Sequence, residues 1–359
     1  MKEKQNRVHI IVPVYNTPEK LFRDCLRSIR EQEHINFTCI VVDDGSAPET
    51  AALCDEAVAR DSRFTVVRKK NEGLAYARRD GTLAALADGA EYISFIDSDD
   101  SVDHRYMSMM FGKLLETNSD ACFCGLNLVC DGKTTVSDWS PSESGTSEDQ
   151  HGILMSVLDL PHKNFGTRFI VWAGIYRASL FDGVDWEFTN VKIRVGDDTR
   201  MSWQLMLKVQ KVAYLQDGLY NYIQHQSNMT LSMGALERLE QITENKYAMI
   251  EFAKQRVPGF DEHDFTEYSA FGEVRTFSGF LGHLLNSGVN GRIRRDEAVR
   301  CVRHIRRAMK TPGASSWVSR FPRNQRIGLF VLNRMGLHAY RLYRSLLKGY
   351  QSIRDGLLC

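Results

Sequence analysis

Acidic residues occur in three clusters along this chain of 359 residues. The clusters are Asp43-Asp44, Asp97-Ser98-Asp99-Asp100 and Asp197-Asp198. The first two follow short apolar runs of β type. Carboxylates at the strand ends of an α/β sheet gather at one edge, where ligands bind. That much negative charge needs a counter-charge, and a divalent cation carrying a nucleotide diphosphate would supply it.

The second cluster contains an Asp-x-Asp unit. Residues two apart in an extended strand end project to one side, so Asp97 and Asp99 can reach one cation. Mn2+ and Mg2+ prefer oxygen ligands and leave room for phosphate oxygens, and such a metal stabilises a departing diphosphate. We expect Ser98 to help bind the nucleotide diphosphate, and Asp100 is a further candidate for the same site. The alternative is a turn or a helix cap.

Other polar residues fit the same ligand. A carboxylate of Asp43 or Asp44 can accept the N–H of a pyrimidine ring, or it can cap a helix. Asn71 and Gly73 form a turn before a helix that carries Arg78, which is available to a diphosphate or is an ordinary surface arginine.

Two further side chains are candidates for the chemistry itself. Asp198 can act as a general base on an acceptor hydroxyl, although acidic residues are also common in first helical turns, which is where Asp197 and Asp198 fall. His225 can contact a diphosphate or a metal, or it can be a structural histidine.

Strand and helix patterns alternate up to residue 100, which predicts a parallel sheet with right-handed crossovers. The polar segment 131–150 is expected to be a mobile loop. Further strands are expected at 121–129 and 212–215, and a helix at Asp198–Val209. The expected strands of the first part are 8–14, 37–42, 64–67 and 92–96, and its helices include 51–60 and 74–87.

Composition excludes several classes of protein. Hydrophobic content of 43%, charged content of 25% and a net charge of +1 describe an ordinary globular chain without a polyanionic partner. Eight cysteines occur without a Cys-x-x-Cys pair, which favours free thiols in a reducing compartment. The chain shows neither a signal peptide nor an apolar run long enough to span a membrane, so a cytoplasmic location is expected.

The pattern changes near residue 232. Residues 1–232 are expected to form the catalytic domain, with a nucleotide-binding half at 1–105 and an acceptor half at 106–232, and residues 233–359 a helical region. From residue 313 onward, arginines alternate with apolar residues. This predicts helices lying on an anionic membrane surface, or alternatively a helical subdomain with solvated arginines. Nucleic acid is disfavoured as a partner.

Four motifs together resemble the family 2 glycosyltransferases, in particular bacterial capsule and exopolysaccharide members. They are Val12–Asn16, Val42–Ser46, Asn71–Arg78 and Phe95–Asp100. Weaker similarity continues through Gly196–Asp198 and Tyr220–Asn228. The resemblance implies a GT-A fold, which is an α/β, Rossmann-like, mostly parallel sheet flanked by helices, here with a C-terminal helical extension.

The resemblance also implies roles for the candidate residues. Pro13, Tyr15 and Asp44 would line the nucleoside pocket. Asp97 would lie near the ribose and the metal, and Asp99 would bind the metal. Asp198 would be the base of an inverting transfer from a nucleotide sugar, with uridine diphosphate favoured, to a saccharide or lipid-linked saccharide of a cell-surface polysaccharide.

The chain departs from the family pattern at three places near these residues. The helix after Gly73 usually continues Ala-Arg-Asn, and here it reads Ala77-Arg78-Arg79-Asp80. Asp197 stands where the family often has Glu, and the stretch that begins at Trp172 lacks the lysine common in capsule-type relatives. Two alternatives remain open. A nucleotidyltransferase would normally carry a Gly-rich basic loop after the first strand, which is absent here, and a non-catalytic sugar-nucleotide-binding scaffold need not retain all the acidic clusters.

Overall fold

The computed structural model forms two compact units, Met1–Ser232 and Met233–Cys359. Residues 313, 315–317, 338 and 341–359 of the arginine-rich segment that begins at residue 313 lie outside the described residues. So do residues 226–228 of the stretch that begins at Tyr220. The residues that the structure describes are 7–33, 36–138, 140–159, 169–190, 196–225, 234–286, 292–312, 314, 318–337 and 339–340.

The first unit is built on one mixed sheet. Its strand order in the described residues is β3-β2-β1-β4-β9-β6-β10-β5, with β7 paired to β6 and β8 paired to β10. The strands are β1 Val8–Val14, β2 Phe37–Asp43, β3 Phe64–Arg68, β4 Tyr92–Phe95, β5 Ser101–Val102, β6 Ala121–Cys130, β7 Lys133–Val136, β8 Gly145–Ser147, β9 Gly174–Arg177 and β10 Val212–Gln224.

The first four strands of that order are parallel, and β1, β2 and β4 are mostly apolar and buried, as expected for strands covered on both faces. Val14 pairs with Asp43, and Ile11 pairs with Phe95. The carboxyl ends of β2 and β4, which precede the first two acidic clusters, therefore lie on either side of the end of β1. The α/β class predicted from the sequence is confirmed.

Helices cover this sheet. Gly81 lies so close to it that a Cβ atom there would be 2.5 Å from Ile11 Cγ2 and 3.0 Å from Val42 Cγ2. The helices of the unit are α1 Glu19–Arg30, α2 Pro48–Arg60, α3 Leu74–Ala87, α4 Tyr106–Thr117, α5 Gln150–Val157, α6 Trp186–Thr189 and α7 Asp197–Met206.

Two expectations for the second half of the sheet were wrong. Residues 131–150 contain two strands rather than a mobile loop, and Asp131 and Gly132 have φ values of 48° and 75°. Those values suit the two central residues of a tight hairpin turn between β6 and β7. The strand expected at 212–215 continues to Gln224, past an irregularity around Gly218.

The second unit is helical, as predicted. A buried apolar cluster that includes Phe277, Ile305 and Leu332 forms its core. None of the helices in the described part of the chain is both long and apolar enough to cross a bilayer. The helices are α8 Ala235–Arg256, α9 His263–Asn286, α10 Arg292–Ala308 and α11 Arg323–Met335.

The described cysteines carry free thiols. Six of them are buried, and only Cys130 among them is exposed. Burial raises the pKa of the Cys54 thiol to about 12, so this thiol is protonated at neutral pH.

Candidate functional site

Arg78 connects the second and third acidic clusters. Its guanidinium donates through Nη2 to Asp97 Oδ1 at 2.8 Å and through Nη1 to Asp197 Oδ2 at 2.9 Å. The side chain is only 1% exposed. Arg78 lies in α3, Asp97 follows β4, and Asp197 begins α7. One buried cation therefore holds three elements together at the carboxyl edge of the sheet.

The charges of this group act on one another. Burial lowers the pKa of Arg78, but the negative charges of Asp97 and Asp197 outweigh that effect and raise it above its ordinary value. Burial raises the pKa of Asp197 to about 6, against the opposing charge of Arg78. Burial likewise raises the pKa of Asp97, and Asp99 adds to the effect. The site therefore concentrates more negative charge than its arginine neutralises.

Asp44 organises the loop before α3. Its Oδ1 accepts hydrogen bonds from Lys69 Nζ at 3.1 Å and from the Glu72 amide at 3.0 Å, and its Oδ2 accepts from the Gly73 amide at 2.9 Å. Lys69 is also buried. Asp44 thus fixes the start of the helix that carries Arg78, and its Oδ2, which accepts from one donor only, retains acceptor capacity.

The loops around Asp44 are packed closely. Asp43 Oδ1 accepts from the Ser46 amide at 2.9 Å, and Asn16 Oδ1 accepts from the Ala47 amide at 2.7 Å, so the two side chains brace the start of α2. Gly45 has a φ of 76°, and a Cβ there would lie 2.7 Å from the Asn71 amide nitrogen. This position therefore favours glycine on both conformational and steric grounds.

Asp100 joins the Asp-x-Asp loop to β10. Its carboxylate accepts from the Tyr220 hydroxyl and from the Ile223 amide, both at 2.8 Å. The Tyr220 hydroxyl in turn accepts from the Asp97 amide at 3.1 Å. Burial, with the charges of Asp99 and Asp97, raises the pKa of Asp100 well above its ordinary value. Asp100 therefore holds the Asp-x-Asp loop against β10.

Asp99 is the most accessible carboxylate of this loop, at 34% exposure, and its Oδ2 lies 2.9 Å from His225 Nε2. Among the described residues no lysine or arginine pairs with it. The carboxylate oxygens of Asp99 and of Asp97 nearby fit Mn2+ or Mg2+, and the imidazole of His225 lies beside them. The described part of the chain contains no group of three or more such side chains that could hold a metal by themselves.

Asp198 lies in the first turn of α7, next to Asp197. Its Oδ1 accepts from the Thr199 amide at 2.7 Å, and its Oδ2 accepts from Trp172 Nε1 at 3.3 Å. The indole of Trp172 is buried and stacks on Tyr222 with ring centroids 5.6 Å apart. The carboxylate of Asp198 is therefore oriented by neutral donors, whereas the neighbouring Asp197 forms the ion pair with Arg78.

The structure brings together most of the residues predicted from the sequence. A continuous set of contacts links Asp44 through Gly73 and α3 to Arg78, and from there to Asp97 and Asp197. Both terminal nitrogens of Arg78 bind carboxylates in this structure. The predicted contact of Arg78 with a diphosphate stays a prediction.

Other predicted residues lie around this set. Pro13 is buried within β1, whereas Tyr15 just beyond the strand is 55% exposed. The Ser98 hydroxyl lies 2.6 Å from that of Thr17, buried between the loops after β1 and β4. Asn71 is exposed beside Gly45. The roles assigned to these residues in binding a nucleotide remain predictions.

Sequence reasoning missed the residues that support the site. Tyr220 and Lys69 belong to it through Asp100 and Asp44. A lone lysine after β3 carries no pattern of its own. Tyr220 lies in the motif Tyr220–Asn228, but its link to the acidic loop depends on the pairing of β10 with β5.

A mixed α/β sheet with a parallel first half and with paired carboxylates at the carboxyl edge of its strands is typical of enzymes that bind nucleotides. The family profile described as "Glycosyl transferase family 2" matches residues 9–173. The glycosyltransferase GlyA of Streptococcus pneumoniae is 27% identical over 220 residues, which are 60% of this chain and 30% of GlyA. The putative glycosyltransferase EpsH of Bacillus subtilis is 29% identical over 224 residues, 62% of each chain. The chain thus matches less than two thirds of either relative's length.

Among solved structures, the chain is similar to TarS 1-349 of S. aureus in complex with UDP-GlcNAc. The TM-score is 0.65 at 17% identity, and the match covers 98% of this chain and 92% of that one. At that identity the likeness concerns the fold alone. The chain is therefore similar to the family 2 glycosyltransferases over residues 9–173, and the GT-A fold implied by its motifs is confirmed.

Proposed function

We propose that the protein is an inverting glycosyltransferase that moves a sugar from a nucleotide diphosphate donor to a hydroxyl of a saccharide acceptor. The observation that carries the proposal is the double ion pair of Arg78 with Asp97 and Asp197. It brings the Asp-x-Asp loop, suited to a cation and a diphosphate, next to the helix end that carries Asp198. A leaving-group site and a base are thus combined at one edge of the sheet.

In this proposal the nucleoside lies against Asp44 and Tyr15, with Pro13 beneath. A uridine diphosphate sugar is the favoured donor at the level of the family, and the carboxylate of Asp44 can accept the ring N–H of a pyrimidine. The TarS structure that this chain resembles contains UDP-GlcNAc, which supports a donor of that general class.

Asp99 and Asp97 would hold Mn2+ or Mg2+, with His225 beside them. When bound, the cation would neutralise charge that develops on the departing diphosphate. The residues of the chain do the rest. Asp100 and Tyr220 hold the loop in shape, and Arg78 fixes the position of Asp97.

Asp198 would remove the proton from the acceptor hydroxyl. The acceptor oxygen then forms a bond to the anomeric carbon while the bond to the diphosphate oxygen breaks, so the configuration inverts. Trp172 donates to one oxygen of Asp198 and so helps to orient the carboxylate for this proton transfer.

The acceptor is proposed to be a saccharide, lipid-linked, in the synthesis of a cell-surface polysaccharide. The similarity to EpsH and GlyA supports a glycosyltransferase, and the class of acceptor rests on the resemblance of the motifs to capsule and exopolysaccharide members. A lipid-linked acceptor would place the protein on the cytoplasmic face of a membrane as a peripheral protein.

The proposal is tested with the purified full chain, a panel of uridine diphosphate sugars and Mn2+. We expect release of the nucleoside diphosphate, and a rise in melting temperature with uridine diphosphate plus Mn2+. Asp99→Asn should lose both the rise and the turnover. Asp198→Asn should keep the rise and lose at least about a hundredfold in turnover. Asp131→Asn, in the hairpin turn, is the matched control and should behave as wild type.

Three results would contradict the proposal. Release of pyrophosphate instead of a nucleoside diphosphate would identify a nucleotidyltransferase. Nucleotide binding without turnover of any donor, either by hydrolysis or with saccharide acceptors, would identify a scaffold. Full turnover in Asp198→Asn would remove the base from its assigned role.

A further inference from the structure

Helix α11 of the second unit exposes a face of unusual composition. Phe330 is 62% exposed and Ile327 is 44% exposed. On a helix with 3.6 residues per turn, these two side chains lie within an arc of about 100° that also contains Arg323, Arg326 and Arg334. All five positions are exposed. We call this set of five residues the α11 face.

The opposite side of α11 is packed into its own unit. Gly328, Leu329 and Leu332 are buried, and Leu329 and Leu332 belong to the apolar cluster of the unit. At the end of the helix, Arg306 of α10 donates to the Leu332 carbonyl oxygen at 3.2 Å. The helix is therefore held in a fixed orientation, and the α11 face is a stable part of the surface of its unit.

The charge of the α11 face is of one sign. Helix α11 contains no acidic residue. Within the described residues none of Arg323, Arg326 and Arg334 forms an ion pair, whereas Arg320, just before the helix, pairs with Glu267 at 3.5 Å. The three arginines are therefore available to bind an external anion.

We infer that the α11 face docks the protein onto an anionic lipid bilayer. Phe330 and Ile327 would enter the boundary between headgroups and acyl chains, and the arginines beside them would bind lipid phosphates while their stems cover apolar surface. A groove for nucleic acid would present its basic residues among polar ones, not beside exposed Phe and Ile. This inference concerns a surface in the second unit and does not depend on the proposed transferase activity.

The experiment is co-sedimentation of the purified full chain with vesicles of phosphatidylcholine alone or with about 30% phosphatidylglycerol. We expect binding to the anionic vesicles only, and a decrease in binding at high salt. The double variant Ile327→Gln with Phe330→Gln should bind at least about tenfold more weakly. The double variant Arg323→Gln with Arg326→Gln should bind about thirtyfold more weakly.

Matched controls come from the first unit. Leu115 is 41% exposed on α4, and Arg27 is exposed on α1. Leu115→Gln and Arg27→Gln should leave vesicle binding unchanged. All variants should keep the melting temperature of the wild type, because the changed side chains are exposed.

Three outcomes would overturn the inference. The first is that the wild type does not bind anionic vesicles, and the second is that it still binds after the changes on the α11 face. The third is a dimer, seen by analytical ultracentrifugation, that is disrupted by the same changes, because the face would then bind a second copy of the chain. Donor turnover without vesicles is measured in parallel, so a failure of this inference is distinct from a failure of the proposed activity.

Discussion

Arg78 donates to Asp197 Oδ2 at 2.9 Å, across 119 positions of the chain. The same guanidinium binds Asp97. Because a buried charge is costly unless it is paired, these three residues depend on one another. Through these two ion pairs, Arg78 of α3 fixes the position of the loop after β4 and of the start of α7.

Removal of the Arg78 guanidinium should disrupt this arrangement. Arg78→Met would leave the buried Asp97 and Asp197 without their cation, so we expect a loss of about 3–5 kcal/mol in the free energy of unfolding and loss of donor turnover. Arg78→Lys keeps the charge but cannot span both carboxylates, so it should restore part of the stability and little of the turnover. Urea unfolding and donor hydrolysis measure the two effects.

The neighbouring Arg79 is the matched control. It is half-buried and binds Asp80 at 2.7 Å, so Arg79→Met should cost no more than about 1 kcal/mol. Equal losses in Arg78→Met and Arg79→Met would show that the buried ion pairs have no special role.

Trp172 should matter for catalysis because it holds the proposed base. Trp172→Phe keeps an aromatic ring against Tyr222 but removes the indole N–H that binds Asp198. A hydrogen bond to a charged group contributes about 1.5–3 kcal/mol, so we expect kcat to fall by about tenfold or more while KM for the donor changes little.

Trp186→Phe, in α6, provides the comparison, since no described bond joins Trp186 to Asp198. It should leave kcat close to the wild-type value. An equal fall of kcat in Trp186→Phe and Trp172→Phe would show that the hydrogen bond from Trp172 to Asp198 has no special role in catalysis.

Local pattern was enough to predict much of the first unit. The strand predicted at 8–14 and the helix predicted at 74–87 have those bounds in the structure. Both are set by short-range composition, which is an apolar β-branched run in one case and an Ala-rich stretch after Gly73 in the other. The hairpin turn at Asp131-Gly132 carried an equally local signal, which was overlooked because the segment around it is polar.

The partners of the site residues could not be read in the same way. The sequence around Arg78 predicts a contact with a diphosphate and gives no sign of its bond to Asp197, which lies far along the chain. Asp44 was predicted to bind a nucleoside, but its contacts with Lys69 and two loop amides depend on how the loops after β2 and β3 meet. Spacing predicts which carboxylates share an edge, whereas their hydrogen bonds depend on tertiary packing.

His9 should make the stability of the protein depend on pH. It is buried in β1 beside Arg7, and burial together with that charge lowers its pKa from 6.5 to about 4. Its Nε2 also lies 2.9 Å from Asp88, but that carboxylate is half exposed and is shared with Arg7. The unfolded chain therefore binds more protons than the folded chain between about pH 4 and pH 6.5.

The stability contributed by neutral His9 is complete above pH 6.5 and decreases as the pH falls towards 4. The shift corresponds to at most about 3 kcal/mol. Urea unfolding at about pH 7 and about pH 5 should show a larger loss for wild type than for His9→Gln, which cannot titrate. The same loss in both proteins would assign the pH dependence to other groups.

Two helix glycines should respond in opposite directions to the same substitution. Alanine favours a helix interior by about 1 kcal/mol over glycine. At Gly112 of α4 a Cβ meets nothing within 4 Å, so Gly112→Ala should stabilise the protein by up to that amount. At Gly81 the Cβ would lie 2.5 Å from Ile11 Cγ2, and overpacking of this kind costs about 1–3 kcal/mol. Gly81→Ala should therefore lower the urea midpoint while Gly112→Ala raises it. A rise in both would mean that α3 can move away from the sheet without cost, in which case α3 would not hold Arg78 rigidly between Asp97 and Asp197.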